Sequence, residues 1–294
     1  MTTSSQFKLA AVQAAPVYFD REASTVKAGK LFQEAGAKRA PLAAFGECGL
    51  PGYPVHVWGE RATVEAVAPE YLANAVELPR PPTERRCETV RRTNLDVVIG
   101  VAERDARTRG TVYCPLLFIG SDGAILGRHR KLKPTHRERT AWGEGDGSSL
   151  VVYERPYGRI SGLNCWEHNM VLPGYTLMEQ GTQIHIAAWP GSNGSRHSVL
   201  SRAFASQSAA YVIDVGAILA PEHVTGVARK EIEQQAGEVA ARVARGYPGE
   251  SSIIDPQGEI IAGPAEGEQI LVADCSEEQI FAAKAVCDVG GHYS

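Results

Sequence analysis

The chain has 294 residues, of which 44% are apolar and 22% charged, and its formal net charge is -4. This composition is ordinary for a globular protein with an ample core, and the negative balance gives no reason to expect a nucleic-acid partner. No apolar run approaches the roughly 18 residues that a membrane-spanning helix needs, so no membrane association is predicted either.

The cysteines are scattered along the chain, and none belongs to a Cys-x-x-Cys pair. They are Cys48, Cys87, Cys114, Cys165, Cys275 and Cys287. The first residues, 1–7, lack the basic and then apolar regions of a secretory signal. These features favour reduced thiols in a cytoplasmic protein over disulfides or zinc. The histidines are also dispersed, without the spacing of metal ligands, so no metal site is predicted.

Strand and helix patterns alternate from the beginning of the chain. In the first half the predicted strands are 8–13, 41–45, 96–102, 112–119 and 124–128, and the predicted helices are 24–39 and 83–95. The last two of these strands form a hairpin around the turn Ser121-Asp122-Gly123. A polar, glycine-rich loop is predicted to follow over residues 131–148.

The alternation continues in the second half. The predicted strands there are 149–153, 159–164, 183–188, 211–216, 251–255, 259–262 and 269–274, and the predicted helices are 173–181 and 197–209. The polar segment 222–247 is expected to form a helix and a mobile or partner-contacting loop. Strands linked both by helices and by hairpins predict an α/β fold, with mixed sheets covered by helices on one face. Because no Pro/Gly/Ser-rich linker divides the chain, one domain over 1–294 is expected.

The segment from Ser161 to His168 is the first candidate for chemistry, because a predicted strand stops there at Cys165. A sharp turn after a strand presents a nucleophile from the end of a rigid element. A free thiol has a pKa of about 8.5, so it needs a base or a cation to become a good nucleophile at neutral pH. The alternative is a buried structural cysteine.

Two further segments supply such groups. Glu47 follows the apolar strand 41–45, where partial desolvation would raise its proton affinity and suit it to act as a general base. Lys131 follows another strand and could hold positive charge near a developing oxyanion. The alternative for Glu47 is a surface carboxylate or a turn cap. The alternative for Lys131 is a place on a solvated basic face. Glu138, in the glycine-rich loop, could position Lys131 or the substrate.

Four motifs together resemble the nitrilase superfamily of carbon–nitrogen hydrolases, and specifically its nitrilase branch. They are Leu50-Pro51-Gly52-Tyr53-Pro54, Arg130-Lys131-Leu132-Lys133-Pro134-Thr135, Glu138-Arg139 with Trp142-Gly143-x-Gly145-Asp146-Gly147, and Cys165-Trp166-Glu167. The resemblance extends over nearly the whole chain. It implies a four-layer α-β-β-α sandwich whose subunits pair into a homodimer or a larger homo-oligomer.

The resemblance also implies a role for each motif residue. Cys165 would attack a nitrile carbon, Glu47 would take the thiol proton and Lys131 would stabilise the charged intermediate. Glu138 would orient the site, and the backbone N–H of Trp166 could join the oxyanion donors. The candidate substrate-binding residues are Tyr53, Trp166, His168, Trp189 and Pro190. Core packing is the alternative for Trp189 and Pro190, and a loop hydrogen bond is the alternative for His168.

The implied reaction converts a small nitrile to a carboxylic acid and ammonia, through a thioimidate and then a thioester on Cys165, with no cofactor. An amidase or carbamoylase with the same residues is an alternative, and a noncatalytic assembly scaffold is another. The chain departs from the family pattern at Gly46, where proline is usual, at Cys48 and over residues 169–175. These positions border the expected pocket, so the resemblance does not extend to substrate preference.

Overall fold

Two six-stranded mixed sheets pack face to face in the computed structural model, which describes residues 6–78, 87–191, 196–234 and 237–292. In chain order the strands are β1 Gln6–Gln13, β2 Leu42–Phe45, β3 Asp96–Gly100, β4 Glu103–Arg104, β5 Val112–Tyr113, β6 Pro115–Ile119, β7 Ile125–Arg130, β8 Tyr153–Arg155, β9 Gly158–Asn164, β10 Ile184–Trp189, β11 Tyr211–Gly216, β12 Ser252–Ile254, β13 Ile260–Ala262 and β14 Gln269–Ser276. The sheet orders are β14-β1-β2-β3-β6-β7 and β13-β12-β11-β10-β9-β8, while β4 and β5 pair separately.

Helices cover the outer face of each sheet. In chain order the helices are α1 Arg21–Ala37, α2 Arg61–Asn74, α3 Glu88–Arg91, α4 Val171–Glu179, α5 Arg196–Ser208, α6 Gly226–Glu233, α7 Glu238–Arg245, α8 Glu277–Val286 and α9 Val289–His292. Of these, α1 lies on the first sheet, and α4 and α5 lie on the second. Short 3-10 turns occur at Val55–Trp58, His136–Thr140, Gly147–Ser149, Cys165–Asn169 and Pro221–His223. Within the described ranges, no helix is both long and apolar enough to cross a bilayer.

The alternation of side chains along the strands produces the layers. In β1, Leu9 and Ala11 face the second sheet, whereas Ala10 packs with Phe32 of α1 on the outer face. In β10, Ile186 joins the core between the sheets. The central strands of both sheets are parallel and buried on both faces, which explains their continuous apolar runs.

The outer face of the second sheet is covered in the same way. Trp189 of β10 packs with Met178 of α4 and Phe204 of α5 in one apolar cluster. Each sheet therefore has helices on one side and the other sheet on its opposite side. The predicted α-β-β-α sandwich is confirmed.

Some predicted elements end elsewhere than the sequence pattern indicates. Of the helix predicted over 83–95, residues 83–86 lie outside the described residues, and α3 is a single turn at Glu88–Arg91. The strand predicted over 149–153 begins only at Tyr153, because the Asp146 side chain accepts the Ser148 N–H and caps a 3-10 turn there. The hairpin strand 112–119 is divided at Cys114, since β5 pairs with β4 while β6 pairs with β3 and β7.

Three helices, α2, α8 and α9, have no counterpart in the sequence prediction, and the segment 222–247 contains α6 and α7. The helix α2 carries Pro69 in its interior, a residue that normally ends or kinks a helix. Val67 and Tyr71 of α2 pack against Ile232 of α6 and Val243 of α7. These helices thus build a fourth apolar cluster, beside the carboxyl ends of the strands.

Candidate active site

Two segments far apart in sequence meet at one buried lysine. The Nζ of Lys131 donates a hydrogen bond to Oε1 of Glu47 at 2.8 Å and another to Oε2 of Glu138 at 2.7 Å. Lys131 and Glu47 are fully buried, and the Glu138 side chain is 3% exposed. A buried ammonium is costly unless it is paired, so the two carboxylates fix the position of Lys131.

The fold explains why these side chains converge. Glu47 lies two residues beyond β2, and Lys131 directly follows β7. Because β3 is parallel to β2 and β6 is antiparallel to both β3 and β7, β7 runs in the same direction as β2 and ends at the same edge of the sheet. Glu138 lies in the 3-10 turn just after Lys131, where its Oε2 also accepts the Thr135 N–H at 2.7 Å.

Tyr53 holds Glu138 from the other side. Its hydroxyl donates to Oε1 of Glu138 at 3.1 Å and accepts from Nε1 of Trp58 at 3.1 Å. Trp142 closes the site, with its ring centroid 5.3 Å from the Nζ of Lys131. Both carboxylate oxygens of Glu138 therefore have donors, which fixes the side chain beside Lys131.

Glu47 is different, because only one of its oxygens is engaged. Its Oε2 is buried and has no hydrogen-bond partner among the described residues. Burial raises the pKa of Glu47, and although Lys131 opposes that effect, the pKa rises from the ordinary value of 4.5 to about 7. A carboxyl group with this pKa can accept and return a proton near neutral pH.

Cys165 directly follows β9 and begins a 3-10 turn with a φ of 50°, in the left-handed region that non-glycine residues rarely adopt. Its side chain is buried, and burial raises the pKa of the thiol well above its ordinary value. Lys131 lowers that pKa, while Glu47 and Glu138 raise it further. The thiol is thus neutral at rest and needs a base to ionise.

A second buried carboxylate, Glu167, holds the Cys165 turn against the Lys131 segment. Its Oε2 accepts the Asn164 N–H, and its Oε1 accepts the Leu132 N–H, both at 2.7 Å. The Nε2–H of His129 donates to the same carboxylate at 3.1 Å. No role is predicted for Glu167 from the motifs, although the spacing Asn164-x-x-Glu167 is that of a capping box. The Glu167 half of the box is formed, but Oδ1 of Asn164 has no hydrogen-bond partner among the described residues.

Cys165 lines a cavity of about 510 Å³, a volume in the usual range for small-molecule sites. Trp166, Trp189 and Pro190 line it too. The Trp189 carbonyl also accepts the Glu47 N–H at 3.1 Å, which attaches the base to the cavity wall.

The sequence matches the carbon-nitrogen hydrolase family over residues 8–285. The chain belongs to this family. A relative called Nitrilase 2, from an unknown prokaryotic organism, is 49% identical over 290 residues, covering 97% of this chain and 88% of the relative. An aliphatic nitrilase of Rhodococcus rhodochrous is 36% identical over 305 residues, covering 99% of this chain and 81% of the relative.

Among solved structures, Saccharomyces cerevisiae Nit3, a member of branch 10 of the nitrilase superfamily, matches with a TM-score of 0.73. The match covers 98% of this chain and 96% of that chain, at 17% sequence identity. At this identity the likeness shows a shared fold alone.

Five residues of this carbon-nitrogen hydrolase are predicted to bind substrate, and two of them, Tyr53 and His168, lie outside the lining of the Cys165 cavity. Tyr53 is buried behind Glu138. His168 lines a separate cavity of about 420 Å³ together with Phe204 and Met170. Its ring stacks on Trp189, with the centroids 5.1 Å apart.

His168 instead contacts the backbone of the cysteine. Its Nδ1 lies 2.8 Å from the Cys165 carbonyl, which can only accept, so Nδ1 carries the hydrogen. Burial lowers the pKa of His168 to about 4, which keeps the ring neutral. Its Nε2 then accepts from Nε2–H of His185 at 3.1 Å, and Nδ1 of His185 accepts from the Ser161 hydroxyl at 2.8 Å. This chain of hydrogen bonds fixes the carbonyl of Cys165.

Proposed function

We propose that this protein is a nitrilase, which hydrolyses an organic nitrile to a carboxylic acid and ammonia, and that Cys165, Glu47, Lys131 and Glu138 are its catalytic residues. The observation that carries the proposal is the bridge from Lys131 to Glu47, together with a second Glu47 oxygen that has no hydrogen-bond partner in the described part of the chain. The 49% identity to Nitrilase 2 supports a nitrile as the substrate.

In the first half of the reaction, the Sγ of Cys165 attacks the nitrile carbon while its proton moves to Glu47. One π bond of the nitrile breaks, and its electron pair moves to the nitrogen. Glu47 then transfers the proton to that nitrogen, which gives a thioimidate on Cys165. The raised pKa of Glu47 supports this order, because its carboxylate can take the proton of the neutral thiol and, once protonated, give it to the substrate nitrogen near neutral pH.

In the second half, Glu47 deprotonates a water molecule, which adds to the thioimidate carbon. The tetrahedral intermediate collapses after protonation of its nitrogen, and ammonia leaves a thioester on Cys165. A second water, activated in the same way, breaks the carbon–sulfur bond and releases the acid and the thiol. Each turnover thus consumes two waters for each nitrile.

Negative charge develops on the substrate nitrogen and later on oxygen. The ammonium of Lys131 is held at a fixed position by two carboxylates, so its charge is available without reorganisation. The backbone N–H of Trp166 is a second candidate donor, since it follows Cys165 at the start of the same turn.

Ammonia release from a panel of aliphatic, aromatic and arylacetonitriles tests this function. We expect Cys165→Ala and Glu47→Gln to abolish turnover, while Cys287→Ala, which removes a half-buried cysteine next to α8, retains the wild-type rate. Full turnover by both site variants would refute the proposal. Faster release from matching amides than from nitriles would favour an amidase or carbamoylase. Labelling of Cys165 by a thiol reagent, together with no hydrolysis of any compound in the panel, would favour a noncatalytic assembly scaffold.

A homodimer or larger homo-oligomer and a cytoplasmic location also belong to the proposal. The family resemblance and the scattered cysteines support them. Light scattering of the purified protein tests the oligomeric state. A monomer at all concentrations would contradict the proposed homo-oligomer.

A further inference from the structure

The cavity that Cys165 lines is strongly basic. Arg196, Arg242 and Arg245 line it, and no Asp or Glu occurs among the described residues that do so. The chain as a whole carries a formal charge of -4, so the basic cavity does not follow from a basic composition. The reaction at sulfur does not account for it either, because Lys131 is the cation that acts most strongly on the Cys165 thiol.

We propose that this cavity selects nitriles that carry a carboxylate, which the arginines bind while Cys165 attacks the nitrile carbon. The inference deepens the proposed nitrile hydrolysis and rests on it. Guanidinium groups match a carboxylate with two parallel, charge-assisted hydrogen bonds, which makes arginine well suited to this task. The product of such a substrate is a dicarboxylate.

Arg242 is held in place before any ligand arrives. Its Nη1 donates to the Tyr247 hydroxyl at 2.7 Å, and its guanidinium lies 3.7 Å from the ring centroid of Trp58. Its Nη2 contacts Glu238 at 3.3 Å, but the Glu238 side chain is 52% exposed, so solvent screens that pair. A preformed cation of this kind loses little entropy when it binds an anion.

The other two arginines surround the same space with less restraint. Arg196 begins α5 and places its guanidinium 5.3 Å from the ring centroid of Trp166, the residue after the cysteine. Arg245 ends α7, and its exposed side chain also lines the cavity. Cations from two separate helices thus line the space next to the thiol, which is the arrangement a linear anionic nitrile requires.

The test compares 4-cyanobutanoate with its neutral methyl ester, which has the same distance from nitrile to carbonyl. We expect kcat/KM to be higher for the anion, and the anion-to-ester ratio to fall by about tenfold in Arg245→Gln and in Arg196→Gln. Arg229→Gln is the matched control, because it removes an exposed arginine of α6 that pairs with Glu233 and lies outside the cavity lining. We expect the anion-to-ester ratio of Arg229→Gln to stay at the wild-type value.

Calorimetry with Cys165→Ala separates this inference from the catalytic proposal. We expect 4-cyanobutanoate to bind this variant, and the added Arg245→Gln change to weaken binding by about tenfold. Arginine-dependent binding without hydrolysis of any nitrile would refute the nitrilase but leave the carboxylate site standing. Hydrolysis that favours the ester, with a ratio that Arg245→Gln does not change, would overturn the carboxylate site and leave the nitrilase standing.

Discussion

The Nζ of Lys131 lies 2.8 Å from one carboxylate oxygen of Glu47, and the other oxygen of Glu47 is buried without a hydrogen-bond partner among the described residues. One oxygen is thus committed to holding the base in position, and the other is left to exchange a proton. Because Glu138 offers Lys131 a second carboxylate, the ammonium stays charged even when Glu47 is protonated.

The pKa of Glu47 predicts the acid limb of the activity profile. Its deprotonated form is the active base, and burial raises its pKa to about 7, so protonation inactivates it as the pH falls. We expect kcat/KM for a neutral nitrile to rise with pH up to about 7 and then to level off. A profile measured with an uncharged substrate checks this. An acid limb centred near 4.5, the ordinary value for glutamate, would contradict it.

Glu167→Gln should damage both stability and activity. The amide keeps one acceptor oxygen and places an NH₂ group against a backbone N–H, so either Leu132 or Asn164 loses its partner. We expect a loss of about 2–4 kcal/mol in the free energy of unfolding, measured in urea. Glu154→Gln, at an exposed ion pair with Arg159, is the control and should leave stability unchanged. Equal midpoints for the two variants would contradict the role given to Glu167.

The same carboxylate predicts a pH dependence of stability. Burial raises the pKa of Glu167, but His129 and two backbone N–H groups outweigh it, so the net pKa lies below the ordinary 4.5. A depressed folded-state pKa contributes stability above the unfolded-state value, and that contribution is lost as pH falls through the folded value. We therefore expect the wild-type free energy of unfolding to fall below about pH 4.5 more steeply than that of Glu167→Gln. If the free energy of unfolding of the two proteins fell with the same slope below pH 4.5, Glu167 would not make this contribution.

Gly46→Ala should disturb Glu47 through the backbone. A Cβ at position 46 would lie 2.8 Å from the Trp189 carbonyl oxygen and 2.9 Å from the Ala217 nitrogen, closer than real contacts allow. We expect a destabilisation of about 1–3 kcal/mol and a lower kcat, because Glu47 would have to shift with its neighbour. Gly147→Ala is the control, since a Cβ there would meet no atom within 4 Å. Equal thermal midpoints for the two variants would rule out the predicted clash.

Tyr53→Phe tests whether Glu138 must be held from both sides. The change removes the hydrogen bond to Oε1 of Glu138 and leaves Nε1 of Trp58 without its acceptor. We expect kcat to fall about fivefold, which corresponds to about 1 kcal/mol. Tyr175→Phe is the control, because Tyr175 lines the separate cavity beside His168. The assignment fails if both variants lose activity equally.

The sequence predicts the parts of the fold and site that local patterns determine. The central strands have continuous apolar runs, and Glu47, Lys131 and Cys165 each follow a predicted strand within a few residues, so their positions near strand ends were predictable. The role of Glu167 depends on the distant Leu132 N–H, and the basic cavity depends on α7 folding against Trp58. The helix α2 was missed because Pro69 interrupts its pattern. His168 is adjacent to the motif in sequence, but the turn at 165–169 directs it into the neighbouring cavity.

The most direct test of the central claim is the site of covalent attachment during turnover. The enzyme is mixed with a nitrile, quenched in acid within the first turnovers, and analysed by intact mass and peptide mapping. We expect an adduct with the mass of the thioimidate or the acyl group on Cys165, and its absence in Cys165→Ala. Wild-type turnover with no adduct, or with an adduct on another cysteine, would contradict the account.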